Sequence, residues 1–65
     1  MRFLRVREVA QLTGYSVPHI WRLARDGQFP KPVKLGANAS AWVDGEVREW
    51  QLSRIKIRDA ASAPV

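Results

Sequence analysis

The sequence predicts a mainly α-helical domain with one small β-hairpin, and three observations carry that prediction. Two short stretches with helical spacing of apolar residues, within 6–13 and 17–24, are separated only by Gly14, Tyr15 and Ser16. An alternating pattern from Val33 to Val43 turns back on itself through a run of turn residues. Asp44 then opens a third helical stretch. Helix, tight turn, helix, hairpin, helix is the order of a winged helix-turn-helix.

In the first helix Val6, Val9, Ala10 and Thr13 fall on one face, and Gly14 stands where a left-handed residue ends a helix. Its start is weak, because Arg7 is a poor cap and no Ser, Thr, Asp or Asn precedes it. Ser16 caps the second helix, where Pro18 is tolerated because the first-turn N–H groups have no helical partner. Val17, Ile20, Leu23 and Ala24 form its buried stripe. Pro18, His19, Trp21, Arg22, Arg25 and Asp26 are left outward. Gly27 ends this helix, and Pro30 and Pro32 forbid its continuation.

The hairpin pairs Val33-Lys34-Leu35 with Ala41-Trp42-Val43, and Gly36 to Ser40 supply the turn. Asp44 is the N-cap of the third helix, with Glu46 in its first turn where the dipole favours negative charge. That helix is expected to run to about Ile57, with Val47 and Trp50 on one face and Leu52 and Ile55 on a neighbouring one. Residues 1–58 form the ordered domain, and the small, polar segment 59–65 is expected to be a disordered tail.

Size and composition exclude several classes of function. A chain of 65 residues buries only about 60% of its unfolded surface, which leaves no room for a large cleft or a second domain. The absence of cysteine excludes disulfides and thiolate zinc sites and fits a reducing cytosol. The longest apolar run, Ala41-Trp42-Val43, is far short of the ~20 residues of a membrane span. With no signal-peptide pattern either, a cytoplasmic protein is expected. The net charge of +5 is confined to the first 43 residues, where seven basic residues face Glu8 and Asp26, whereas the remainder is neutral. A polyanion would meet that part of the chain.

The stretch from Glu8 to Ser16 resembles the AlpA-type phage regulators, as do Ile20-Trp-Arg-Leu23, Gly27-Gln-Phe-Pro30, Pro32-Val-Lys-Leu-Gly36 and Trp42-Val-Asp-Gly-Glu-Val47 with Trp50. Those proteins look like winged-helix domains of MerR and excisionase type, and the likeness covers residues 3 to about 55. The resemblance implies that the second helix enters the major groove and that the hairpin lies along the backbone as a wing. This chain departs from the family pattern in two places. Val17, Pro18 and His19 stand where small polar residues are common, and Ala37, Asn38, Ala39 and Ser40 replace the usual wing arginines.

Candidate DNA-binding residues follow from these positions. Arg22 reaches a guanine edge or a phosphate, and His19 stands at the N-terminal end where recognition helices meet bases. Ser16 caps that end. Val17 and Pro18 either touch a thymine methyl or serve as core and helix start. Trp21 is read as packing against the wing or the turn, with stacking on the sugar-phosphate edge as the alternative. Lys34, Asn38 and Ser40 offer donors to phosphate, and Arg25, Lys31, Arg2, Arg5 and Arg7 add to the positive field. Trp42 and Trp50 are read as core.

Nothing in the sequence supplies catalysis: no phosphate-binding loop, no nucleophile with a base, no metal ligand set and no cofactor motif. The expectation is a sequence-specific double-stranded DNA-binding protein of prophage type that regulates transcription. The alternatives are an excisionase that directs DNA recombination, or a module that docks an acidic protein. Expected partners are DNA, further copies of the chain on adjacent sites, and integrase or RNA polymerase. No membrane and no small-molecule substrate is expected.

Overall fold

The structure, a computed structural model, describes residues 1–62. It runs β1 (Phe3–Leu4), α1 (Val6–Thr13), α2 (Val17–Arg25), β2 (Val33–Gly36), β3 (Ala39–Val43) and α3 (Asp44–Ser62). The helix, turn, helix, hairpin, helix order is the expected one, with a third strand added. The sheet is antiparallel in the order β1-β3-β2, so β3 is its centre.

Each end of the helix-turn-helix is closed by a specific local interaction. Gly14 at φ 79° donates its N–H to Ala10 O at 2.8 Å, while the Thr13 hydroxyl donates to Val9 O and accepts the Tyr15 N–H. The connection is therefore built from side-chain and backbone bonds made within it. Ser16 Oγ accepts the His19 N–H at 3.3 Å and caps α2 as expected. At the other end Gly27 is left-handed at φ 77°. Its N–H reaches Ala24 O, and the Gln28 N–H reaches back to Leu23 O, satisfying two carbonyls the helix would otherwise leave open.

The core is one cluster of Leu4, Val9, Ile20, Ala24, Phe29, Trp42 and Val47. Ile20 and Ala24 are buried as the helical spacing required, and Val17 and Leu23 are half-buried at the edges of that stripe. Trp42 has no exposed surface, and its indole N–H donates to Pro30 O at 2.6 Å. Trp50 is half-buried and donates to Gln28 O at 2.9 Å. The two indoles thus satisfy carbonyls of the segment that joins α2 to the hairpin.

Four features depart from the sequence reading. First, β1 was not expected: Phe3 pairs with Val43 and Leu4 with Trp42. Two residues are too few to display an alternation, so only the tertiary pairing defines them. Second, Ala39 and Ser40 belong to β3 and pair with Gly36 and Lys34, which shortens the turn to Ala37 and Asn38. An irregular register between Lys34 and Gly36 absorbs the extra residue.

Third, the acidic residues near helix starts act across the chain. Glu8 accepts the Arg5 N–H at 3.1 Å and pairs with the Arg2 guanidinium, giving α1 the start that its sequence lacks. Asp44 Oδ1 accepts from Gly45 N at 2.8 Å and from Arg2 N at 3.0 Å, while the Asp44 N–H donates to Arg2 O. Asp44 therefore clamps the N-terminal strand as well as the start of α3.

Fourth, α3 continues five residues past Ile57 to Ser62. Ala60 and Ala61 are strong helix formers and no breaker interrupts them, so propensity extends the helix where packing does not. The first four residues of the expected tail are thus helical, and 63–65 lie outside the described residues. No helix among the described residues is long and apolar enough to cross a membrane.

Two measurements check this account. Trp42→Phe leaves Pro30 O without its donor and a smaller ring in a fully buried site, and should cost at least about 1–3 kcal/mol in urea denaturation with an unchanged slope. The second concerns the Asp44 clamp. The Arg2 backbone N–H, then that of Gly45, holds the Asp44 carboxyl below its ordinary value of 3.8 against an opposing desolvation effect. A carboxyl lowered in the folded state contributes stability that is complete above the unfolded value and is lost as pH falls through the folded one. Asp44→Ala should therefore melt below wild type at neutral pH, with the gap closing as pH drops below 3.8. A gap that widens in acid would contradict the clamp.

Candidate nucleic-acid interface

The outward surface of α2 follows from helical geometry. At about 100° per residue, Pro18, Trp21, Arg22 and Arg25 share the side turned away from Ile20 and Ala24, with Trp21 at its edge. All four are exposed, whereas the opposite pair is 0–3% exposed. This face carries two guanidiniums, with Pro18 at its N-terminal end and the Trp21 indole along one edge.

His19 sits on the flank of that ridge. It is half-buried, with its ring 4.6 Å from that of Tyr15. Its Nδ1 lies 2.6 Å from Arg22 Nη2. A guanidinium only donates, so Nδ1 is the acceptor and the neutral ring carries its proton on Nε2. His19 thereby orients Arg22, so the two act as a unit. Arg25 is oriented differently, its Nε donating to Asp26 Oδ1 at 3.2 Å.

Trp21 is 41% exposed and lies against Trp42, ring centroids 5.0 Å apart. It packs on the central strand of the wing, the role favoured by the sequence, and keeps one side open. Lys34 stands across from Ser40 in the β2–β3 pairing, so the two share a sheet face, and Ser40 shares it with Trp42 by strand alternation. Through Trp42 and Trp21 that face adjoins α2. Lys34 is exposed, Ser40 is half-buried, and Asn38 is exposed in the two-residue turn. Ser16 is exposed with its hydroxyl committed to the cap, and Val17 is half-buried.

The structure thus joins His19 to Arg22 and Trp21 to the wing. Tyr15 is the residue that sequence reasoning overlooked as a support for the site. An aromatic immediately before the cap and four residues from His19 was the available signal.

The positive field is uneven in its freedom. Among the described residues Arg2 is paired with Glu8 and Arg25 with Asp26, whereas Arg5, Arg7, Arg22, Lys31 and Lys34 make no ion pair. Ion pairs at exposed positions are weak, so a phosphate can displace either partner. No group of three or more His, Asp or Glu among the described residues is placed to hold a metal ion.

Over residues 2–55 the sequence matches the family described as Prophage CP4-57 regulatory protein (AlpA). It is also similar to the Uncharacterized protein ORF88 of Enterobacteria phage P4, at 48% identity over 54 residues. That similarity takes in 83% of this chain and 61% of the phage protein, so the match spans about three fifths of the relative's length. No solved structure matches significantly.

The His19–Arg22 contact makes a prediction that needs no ligand. Nitrogen NMR of the neutral ring should find His19 with Nδ1 unprotonated and Nε2 protonated. Arg22→Ala should redistribute the tautomers. Wild-type protein with the proton on Nδ1 would sink the contact.

Proposed function

This chain belongs to the AlpA family of prophage regulatory proteins, and we propose that it acts as a sequence-specific double-stranded DNA-binding protein that regulates transcription. The observation that carries the reading is the outward face of α2, where Pro18, Trp21, Arg22 and Arg25 form an exposed basic ridge behind a hydrogen-bonded turn. A helix presented in this way fits the major groove, with its N-terminal residues nearest the bases. In this reading Arg22, held by His19, reads a base edge. Pro18 and Val17 meet a thymine methyl, and Ser16 brings the helix N-terminus toward a phosphate. Arg25 contacts the backbone.

The wing contributes little charge in this reading. Its tip carries Ala37 and Asn38, and Lys34 is the one basic residue of the two hairpin strands. Trp21 packs between α2 and the wing, so the two approach DNA as a single rigid surface. Lys34, Asn38 and Ser40 then position the domain on phosphates without reading sequence. Binding of this kind needs no chemistry, no cofactor and no compartment other than the cytoplasm. With few phosphates neutralised, one domain binds weakly, and occupancy depends on further copies on adjacent sites or on a protein partner such as integrase or RNA polymerase.

Selection of bound duplexes from a random pool, followed by anisotropy titration over a salt series, tests the reading. A recovered site together with an affinity that falls steeply with salt is expected. Failure to bind any duplex at about 50 mM salt would refute DNA binding and favour docking to an acidic protein. Mapping bound sites in the host genome separates the two regulatory roles. Sites beside an integrase promoter mark a transcriptional regulator, and clustered direct repeats in an attachment arm mark an excisionase.

Substitutions at three positions refine the test. Arg22→Ala should cost about 1–3 kcal/mol on the selected site and flatten discrimination at one position, and an equal loss on all duplexes would reassign it to phosphate. Because His19 holds Arg22, His19→Ala combined with Arg22→Ala should cost less than the two losses added. Asn38→Arg, at the exposed tip, should tighten binding to every sequence and steepen the salt dependence by about one unit of slope. No change in either would remove the wing from the complex.

A further inference from the structure

The second half of α3 has no partner in the domain. From Leu52 to Ala61 every residue is exposed, including Leu52 at 52% and Ile55 at 45%. The packed face of the helix, carrying Val47 and Trp50, is turned more than a quarter-turn away from these two. A solvated helical segment of about three turns is marginal in water, and its order comes from packing when it is functional.

The sequence of this exposed surface is self-complementary. Arg48, Leu52, Ile55 and Asp59 recur at spacings of four, three and four, the seam along which two helices pair. Glu49 and Lys56 flank one side of it, Gln51 and Arg58 the other. When a second copy of α3 is laid antiparallel so that Leu52 meets Ile55 of the second copy, Arg48 meets Asp59 of that copy. In the same register Glu49 lies beside its Lys56. Two-fold symmetry repeats each contact, giving four opposite-charge pairs around an apolar centre. Parallel pairing instead sets Arg48 on Arg48 and Asp59 on Asp59.

The charges in this seam are available. Among the described residues Arg48, Glu49 and Lys56 make no ion pair, and Asp59 is engaged only by its neighbour Arg58 in an exposed contact that is readily exchanged. Leu12, 54% exposed, lies next to this surface, its carbonyl accepting from Gln51 Nε2 at 3.4 Å.

We propose that the exposed face of α3 formed by Arg48, Glu49, Leu52, Ile55, Lys56 and Asp59 is a self-association surface, on which a second copy of this chain docks antiparallel. The apolar centre is small, so association is weak in solution and becomes significant when copies are brought together. The surface lies away from the α2 ridge, so it is independent of the DNA-binding reading.

Sedimentation equilibrium on the full chain without DNA, at low salt over roughly 10 µM to 1 mM, tests it at the concentrations a small interface demands. Reversible dimerisation is expected in wild type. Leu52→Glu should abolish it, and Glu49→Lys should weaken it by about tenfold by setting lysine against Lys56. The double exchange Glu49→Lys with Lys56→Glu should restore it to within about threefold of wild type. These positions are exposed, so unchanged melting curves will confirm that each variant folds. A wild type that stays monomeric at about 1 mM, or a double exchange no better than Glu49→Lys alone, overturns the proposal. Because no DNA is present, either result leaves the DNA-binding reading untouched.

Discussion

Burial of Trp42 is the constraint on which the rest of the structure depends. With no cysteine and only 65 residues, the domain must gain its stability from a few large side chains. Trp42 is completely buried on the central strand, its neighbour Ala41 pairs with β2, and its own backbone pairs with Leu4 of β1. Its indole N–H holds Pro30 O, and its ring touches Trp21 and Phe29. One side chain therefore ties the inter-element loop and α2 to the central strand, whose backbone pairs with both edges of the sheet.

That arrangement extends into a chain of rings that begins and ends on α2. His19 lies on Tyr15, Tyr15 on Trp50, Trp50 on Phe29, Phe29 on Trp42 and Trp42 on Trp21, with centroids 4.6–6.3 Å apart. The helix is held from both flanks of its outward ridge by contacts that run through the hairpin, the loop and α3. A binding surface held in this way loses little conformational freedom on docking, which favours affinity without additional contacts. Tilted and edge-on ring geometry throughout fits the electrostatics of aromatic pairs.

The acidic residues serve the fold and keep largely clear of the proposed interface. Glu8 and Asp44 both tie the N-terminal segment, the first through the Arg5 N–H and the Arg2 guanidinium, the second through the Arg2 backbone. Hydrogen bonds from those backbone N–H groups lower both carboxyls below their ordinary values, against desolvation that acts the other way. Asp44 and Glu46 lie in the first turn of α3, where they complement its dipole. Most of the basic residues of the first 43 positions are consequently left without an acidic partner.

The sequence by itself determined the helices of the helix-turn-helix, their glycine ends, the Ser16 cap and the outward positions Pro18, Trp21, Arg22, Arg25 and Asp26, whereas His19, expected outward with them, is half-buried. Each depends on local chemistry: the period of a helix, the left-handed freedom of glycine and a hydroxyl one residue before the first turn. The hairpin was legible for the same reason, since alternation and turn residues are local signals. Tertiary structure alone decided what depends on distant residues. β1 is two residues long and exists only because β3 offers Leu4 and Phe3 a partner edge. The start of α1 rests on Glu8 bonding backward, and Asp44 reaches Arg2 across 42 positions. The link between His19 and Arg22 lay within helical reach in the sequence, but the side on which His19 settles was decided by Tyr15 packing against Trp50, 35 residues away. The continuation of α3 to Ser62 followed from alanine propensity outweighing a polar composition, a balance that pattern alone does not resolve.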